Sequence, residues 1–188
     1  MSSPDAADAD RDPLDATREW VDKAVIGLNL CPFAKSVQVK GQVRYVLSDA
    51  TAPEALLAEL DRELRHLAAA DPETTDTTLL VHPQVLQDFL DFNDFLEVAE
   101  ALLAERGLDG TLQIASFHPR FQFAGTAADD ISNFTNRSPY PTLHLIREAS
   151  IDRAVEAFPE AEAIFERNIE TLEKLGHEGW AALFRKAG

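Results

Sequence analysis

The sequence predicts an α/β domain: a mixed, mostly parallel sheet of about four strands with helices packed on it. Three observations predict this. Short apolar or alternating segments of strand length recur along the chain, separated by segments whose apolar residues return every three or four positions. The connections between the early strands carry a helix, as parallel crossovers require. A chain of 188 residues with 45% hydrophobic residues matches one domain and can fill a sizeable core. A ferredoxin-like α+β sandwich is the alternative, because a late strand could pair antiparallel.

Residues 1–13 (MSSPDAADADRDP) are small, acidic or proline and read as an acidic disordered tail, which leaves residues 14–188 as a single α/β domain. A first helix starts near Asp15 or Thr17 and carries Trp20, Val21, Ala24, Val25 and Leu28 at helical spacing. Pro32 ends it, so Cys31 sits at a helix exit. Val37, Val39, Val43, Tyr45 and Leu47 then alternate with polar residues, which predicts a half-buried strand bent at Gly41. Pro53 opens a helix with Leu56, Leu60, Leu64 and Leu67 on one face.

Thr77–Val81 reads as an interior strand closed by His82-Pro83. The next helix carries Phe92, Phe95, Ala99, Leu102 and Leu103 and stops at Gly107. Thr111–Phe117 is a third strand, again closed by His-Pro, at His118-Pro119. A polar, aromatic loop from Arg120 to Pro141 follows, with one helical turn over Asp129–Phe134 and a candidate cis bond at Tyr140-Pro141. Thr142–Arg147 is a fourth strand. Two or three helices finish the chain, one opened by Pro159 and a short last one running from His177 to Arg185 behind Gly176.

The balance of 17 basic against 33 acidic residues gives a net charge of −16. That disfavours tracking nucleic-acid phosphates or docking on an anionic membrane. No apolar run approaches the ~20 residues of a membrane span, and the first residues lack a basic-plus-apolar leader, so the expected location is cytoplasmic. A single cysteine excludes an intrachain disulfide and a four-cysteine metal site. The phosphate loop, the dinucleotide fingerprint and the Gly-x-Ser-x-Gly elbow are absent, so no nucleotide cofactor is implied.

Four stretches are distinctive: WVDKAVIGLNLCPFAK (Trp20 to Lys35), SFHPRFQFAGT (Ser116 to Thr126), DISNFTNRSPYPTLHLIRE (Asp130 to Glu148) and FPEAEAIFERNIETLEKLGHEGW (Phe158 to Trp180). Together they resemble the bacterial family called domain of unknown function 1415, over roughly Asp15 to Phe184. The resemblance implies a stand-alone domain of about this size and assigns no catalytic residue.

The chemistry therefore has to be read from the residues. If the second and third strands are parallel neighbours, His82 and His118 sit side by side at the carboxyl edge of the sheet, where open α/β sheets bind ligands. Otherwise each histidine caps its strand end on a nearby backbone carbonyl. In the loop beyond, Arg120 and Arg137 could clamp an anion, with Asn133, Asn136 and Tyr140 orienting it; alternatively Arg137 pairs with Asp129 or Asp130 and locks the loop. Cys31 reads as a nucleophile only if a cation offsets the field of the helix end behind it, and otherwise as a buried thiol. His82, His118, Cys31 and Asp130 are acceptable ligands for a divalent metal, though none shows ligand spacing. His144 and His177 read as structural. These readings lead to a small enzyme acting on an anionic metabolite at the edge formed by His82, His118 and the Arg120–Tyr140 loop, with His118 as the acid/base group or a metal ligand and Cys31 as a candidate nucleophile or ligand. The alternative is a non-catalytic binding or assembly protein that uses the 120–140 loop as its recognition surface.

Overall fold

The computed structural model describes residues 11–185. Helix α1 spans Pro13–Trp20 and continues as a π-helical turn over Val21–Ile26. Asp12 caps α1, its carboxylate accepting from the backbone N–H of Leu14 at 2.8 Å and of Asp15 at 3.3 Å. Arg11 pairs with Glu19. The last three residues of the expected tail thus belong to the domain, while residues 1–10 lie outside the described residues. The chain leaves the first helix at Asn29, in the left-handed region at φ 53°.

The predicted strand from Val37 is corrected. Ala34–Val39 is a short helix, α2, and strand β1 covers only Val43–Leu47. Gln42 N–H closes α2 on the carbonyl of Val37 at 2.9 Å, and Gly41 supplies the left-handed residue at its end with φ 67°. Alternation over four residues is too short to separate a strand from one helical turn, and Val39, counted as inward-facing, is 77% exposed. The Tyr45 hydroxyl donates to Gln38 Oε1 at 2.9 Å and holds α2 over β1.

Helix α3 (Pro53–Ala69), strand β2 (Thr77–Val81), helix α4 (Phe89–Glu105) and strand β3 (Leu112–Phe117) follow in order. A 3-10 turn over Ile131–Asn136 interrupts the long loop before strand β4 (Thr142–Arg147). The Tyr140–Pro141 bond is trans, against expectation. Helix α5 (Glu148–Ala157) leads through a second 3-10 turn to helix α6 (Ile164–Leu183), which breaks at Gly176 (φ 66°) where the sequence placed a boundary. Pro159 lies in the turn between α5 and α6 rather than in the first turn of a helix. No helix among the described residues is long and apolar enough to cross a membrane.

The sheet has the order β1-β2-β4-β3. β1 pairs parallel with β2, and β4 pairs antiparallel with both β2 and β3. Three strands therefore run one way and β4 the other, so the sheet is mixed as predicted, but two of its three ladders are antiparallel because β4 sits between β2 and β3. The expected contact between β2 and β3 is corrected, because β4 lies between them. Its Leu143 and Leu145 are wholly buried, as a central position demands.

The two faces of this sheet are covered unequally. On the front, Leu80, Leu112, Leu143 and Leu145 meet the apolar stripes of α3 and α4 in one continuous core. On the back, Trp20, Val21, Ala24 and Leu79 form a smaller cluster joined by Tyr45, Phe117 and Trp180. The thin cover follows from the local sequence: α2 has only six residues and contributes no buried side chain.

Removing the cap oxygen in Asp12→Ala leaves two first-turn N–H groups without it. Stability should fall by about 1 kcal/mol, read as a lower urea midpoint at unchanged slope; an unchanged midpoint would show that α1 does not depend on its cap.

Candidate functional site

His82 and His118 do lie at the same edge of the sheet, one beyond β2 and one beyond β3. Alternation carries both rings to the front face, where they flank Phe92 with ring centroids 5.6 and 5.1 Å from it. Both side chains are fully buried. His118 Nδ1 accepts from the Arg120 backbone N–H at 3.0 Å, so Nε2 carries the proton and donates to the Leu86 carbonyl at 3.1 Å. His82 Nδ1 donates to the Val85 carbonyl at 3.0 Å. The two imidazoles thus hold consecutive carbonyls of the turn before α4, in which Leu86 adopts φ 58°. Burial pushes His82 down to about 4. Burial also lowers His118, and the charge of Arg120 adds to that effect. Both rings are neutral donors at neutral pH, and the backbone-capping alternative describes them.

The loop residues are also committed internally. Asn133 is fully buried; its Oδ1 accepts from Phe123 N–H at 2.8 Å and Thr126 Oγ1 at 3.0 Å, and its Nδ2 donates to the Ala127 carbonyl at 2.9 Å. Asn136 Nδ2 donates to the Ser116 carbonyl at 3.1 Å. Arg137 donates to the carbonyls of Phe121 at 3.0 Å and Ala128 at 2.6 Å, with its guanidinium 4.6 Å from the Phe134 ring centre. It clamps its own loop. Its partners are carbonyls, and among the described residues it forms no ion pair with Asp129 or Asp130. The Tyr140 carbonyl takes hydroxyls from Ser138 and Thr142, and Asp130 caps the 3-10 turn through Ser132 N–H. Arg120 is exposed, and among the described residues its side chain forms no ion pair. Helix α6 packs over this loop, with Phe134 5.2 Å from Trp180.

The expected metal set is not assembled. His82 and His118 stay on the front, Asp130 is exposed in the loop, and Cys31 lies behind the sheet. Among the described residues no three His, Cys, Asp or Glu side chains gather where they could hold a metal ion.

A large concavity lies behind the sheet, where the cover is thin. A cavity of about 1200 Å³ is floored by Val43, Leu79, Ala115, Phe117, His144 and Ile146. One wall is the first helix and α2, the other is α5, and the two walls meet where Phe33 packs edge-on against Phe158 at 5.3 Å. Asp76 and Ser150 mark a polar end, already satisfied by a 2.6 Å hydrogen bond from Ser150 Oγ to Asp76 Oδ1.

Two reactive side chains line this cavity. Cys31 lies three residues before α2, a helix the sequence reading had assigned to a strand. Burial pushes its thiol up, while the nearby backbone N–H groups of Phe33 and Ala34 pull the other way. The thiol form therefore dominates at neutral pH. His144 has a defined tautomer. Thr77 Oγ1 donates its only proton to the Leu145 carbonyl at 2.6 Å, so its contact with His144 Nε2 at 2.8 Å must be an N–H donated by the imidazole. Burial holds His144 neutral, down to about 4. Its Nδ1 has no hydrogen-bond partner among the described residues and is not sealed from the cavity.

His144 is the site residue that the sequence reading set aside as structural. The signal was present in TLHLIR: with Leu143 and Leu145 on one face, His144 and Ile146 take the other. What the alternation does not reveal is that this second face stays partly uncovered.

The fold and the cavity define a class: an α/β domain with one sheet face packed by two long helices and the other roofed by short elements over a recess. Within it, the chain belongs to the family described as protein of unknown function (DUF1415), whose model matches residues 12–182, from the cap of α1 into the end of α6. No curated protein and no solved structure matches the chain.

Arg137→Ala should loosen the loop and cost about 1 kcal/mol, because charged donors to a part-buried and an exposed loop carbonyl are lost. The loss should be the same at low and high salt, since carbonyl partners are not screened like an ion pair; a loss that vanished in high salt would restore the ion-pair lock. Acid should also destabilise the fold in a defined window. The unfolded chain protonates His82 and His144 near 6.5, whereas the folded chain keeps both neutral to about 4. Stability present above pH 6.5 is therefore lost as pH falls toward 4. Between pH 6.5 and about 5, above most carboxylate titration, roughly 2 kcal/mol per histidine should disappear. A flat urea midpoint across that interval would contradict the buried neutral state.

Proposed function

We propose that this domain binds a predominantly apolar small molecule in the cavity behind the sheet. The observation that carries the reading is the recess of about 1200 Å³ itself, floored by apolar side chains around His144, which bonds to Thr77 through Nε2 only. Apolar concavity with few oriented polar groups is the usual make-up of a small-molecule site. The small-molecule part of the sequence expectation is retained and its location moves from the front edge to the back face. The anionic part loses its support, because Arg137, Asn133 and Asn136 are spent on backbone groups of their own loop. The recognition-surface alternative loses support too, since the loop's Phe123 and Phe134 pack against Phe165 and Trp180 of α6.

A catalytic reading of the same cavity rests on Cys31 and His144 both lining it. With burial holding its pKa down to about 4, His144 is a weak general base at neutral pH, so the binding reading is the better supported of the two.

Ala115 lies on the cavity floor beside His144, its register partner on β4. Ala115→Trp should obstruct the floor of the recess beside His144 without touching the front core. The neutral dye Nile red should brighten saturably on the native protein, with about one site per chain, and the variant should abolish this at unchanged far-ultraviolet circular dichroism. Dye binding that does not saturate, or that survives in a folded variant, would overturn the proposal.

A further inference from the structure

We propose that the ligand of the back-face cavity presents an O–H or N–H donor to His144 Nδ1, and so is an uncharged alcohol, phenol or amide on an apolar body rather than a carboxylate or phosphate. This inference rests on the cavity reading above and deepens it.

The Thr77 hydroxyl sets the tautomer of His144. A hydroxyl has one proton, and that proton is fixed on the Leu145 carbonyl at 2.6 Å. The imidazole must then supply the proton in the Thr77–His144 contact, which leaves Nδ1 as a bare lone pair. A backbone carbonyl on the central strand thus dictates what the cavity offers to a ligand. A lone pair attracts a donor and repels the oxygen of an anion.

The rest of the lining points the same way. The floor beside His144 is Leu79, Ala115, Phe117 and Ile146, and an anion placed there would lose its hydration without replacement. The cations of the lining do not compensate. Lys35 and Lys40 are exposed. Arg153 donates to Ser150 Oγ at 3.0 Å and lies 3.9 Å from Asp76, with a side chain 64% exposed. Asp71, Glu73 and Asp76 also line the cavity and add negative charge around it. An uncharged donor therefore fits where a carboxylate does not.

Three probes of nearly equal size separate the outcomes: 2-naphthol, which has the donor, 2-methoxynaphthalene, which lacks it, and 2-naphthoate, which is anionic. On the native protein 2-naphthol should bind about tenfold more tightly than the methyl ether, the worth of one hydrogen bond, and 2-naphthoate should bind most weakly. His144→Phe should keep an apolar floor, bind the phenol and the ether alike, and lose the preference. The nitrogen-15 resonance of His144 Nδ1 in the wild type gives a readout independent of any variant: it should move upfield with 2-naphthol and stay in place with the ether. Equal binding of phenol and ether by the wild type, with Nile red still bound, would overturn the donor inference and leave the cavity reading standing. Tightest binding of 2-naphthoate would overturn it in favour of an anion. Failure of all three probes together with Nile red would overturn both.

Discussion

The insertion of β4 between β2 and β3 is the constraint on which the rest of this structure depends. β3 ends at Phe117 and β4 begins at Thr142, and these two residues are register partners. Residues 118–141 must therefore leave and return at one point of the sheet edge. Closing so long a loop and ordering it costs conformational entropy. Internal bonds offset that cost: Asn133 fastens the Phe123–Ala127 segment, Arg137 ties Phe121 to Ala128, and Asn136 returns to Ser116 on β3. The density of polar side chains in the loop thus serves closure. The same insertion separates the strands of His82 and His118 and puts Leu143 and Leu145 at the centre of the front core.

Three histidines show how neighbours decide what one side chain does. All three are held neutral by burial. His82 and His118 each donate to a carbonyl of the turn before α4; His118 has both nitrogens bonded, while His82 Nε2 is left without a partner but is sealed inside the front core. His144 meets a hydroxyl whose proton is already placed, and its remaining nitrogen is left as an acceptor. Residue type is shared; what differs is the partner of each ring nitrogen and whether the unpaired one is sealed in the core, as at His82, or lies on a residue that lines the cavity, as at His144.

The two sheet faces differ in the same way. α3 and α4 are 17-residue helices with full apolar stripes, and they bury most of the front. The back is roofed by the first helix, the short α2 and α5, and α5 has no buried residue. Apolar floor residues there lack the packing partners their front-face counterparts have, so the recess forgoes dispersion contacts that a close-packed layer would supply. A ligand that fills it would supply those contacts and stabilise the fold by linkage.

By itself the sequence determined the elements whose pattern is long or whose ends are marked. The leucine stripe of α3, the aromatic and leucine stripe of α4, the Thr77–Val81 and Thr142–Arg147 strands and the break at Gly176 were all legible, because helical and strand periodicities are local properties of the chain. The four resembling stretches also placed the chain in its family. Only the tertiary structure decided that Ala34–Val39 is helical, that β4 separates β2 from β3, and that the histidines at the sheet edge are clamps while the mid-strand His144 faces a cavity. Strand order and the partner of a ring nitrogen depend on residues far apart in the chain: Thr77 and His144 are 67 positions apart, and no local pattern encodes their meeting.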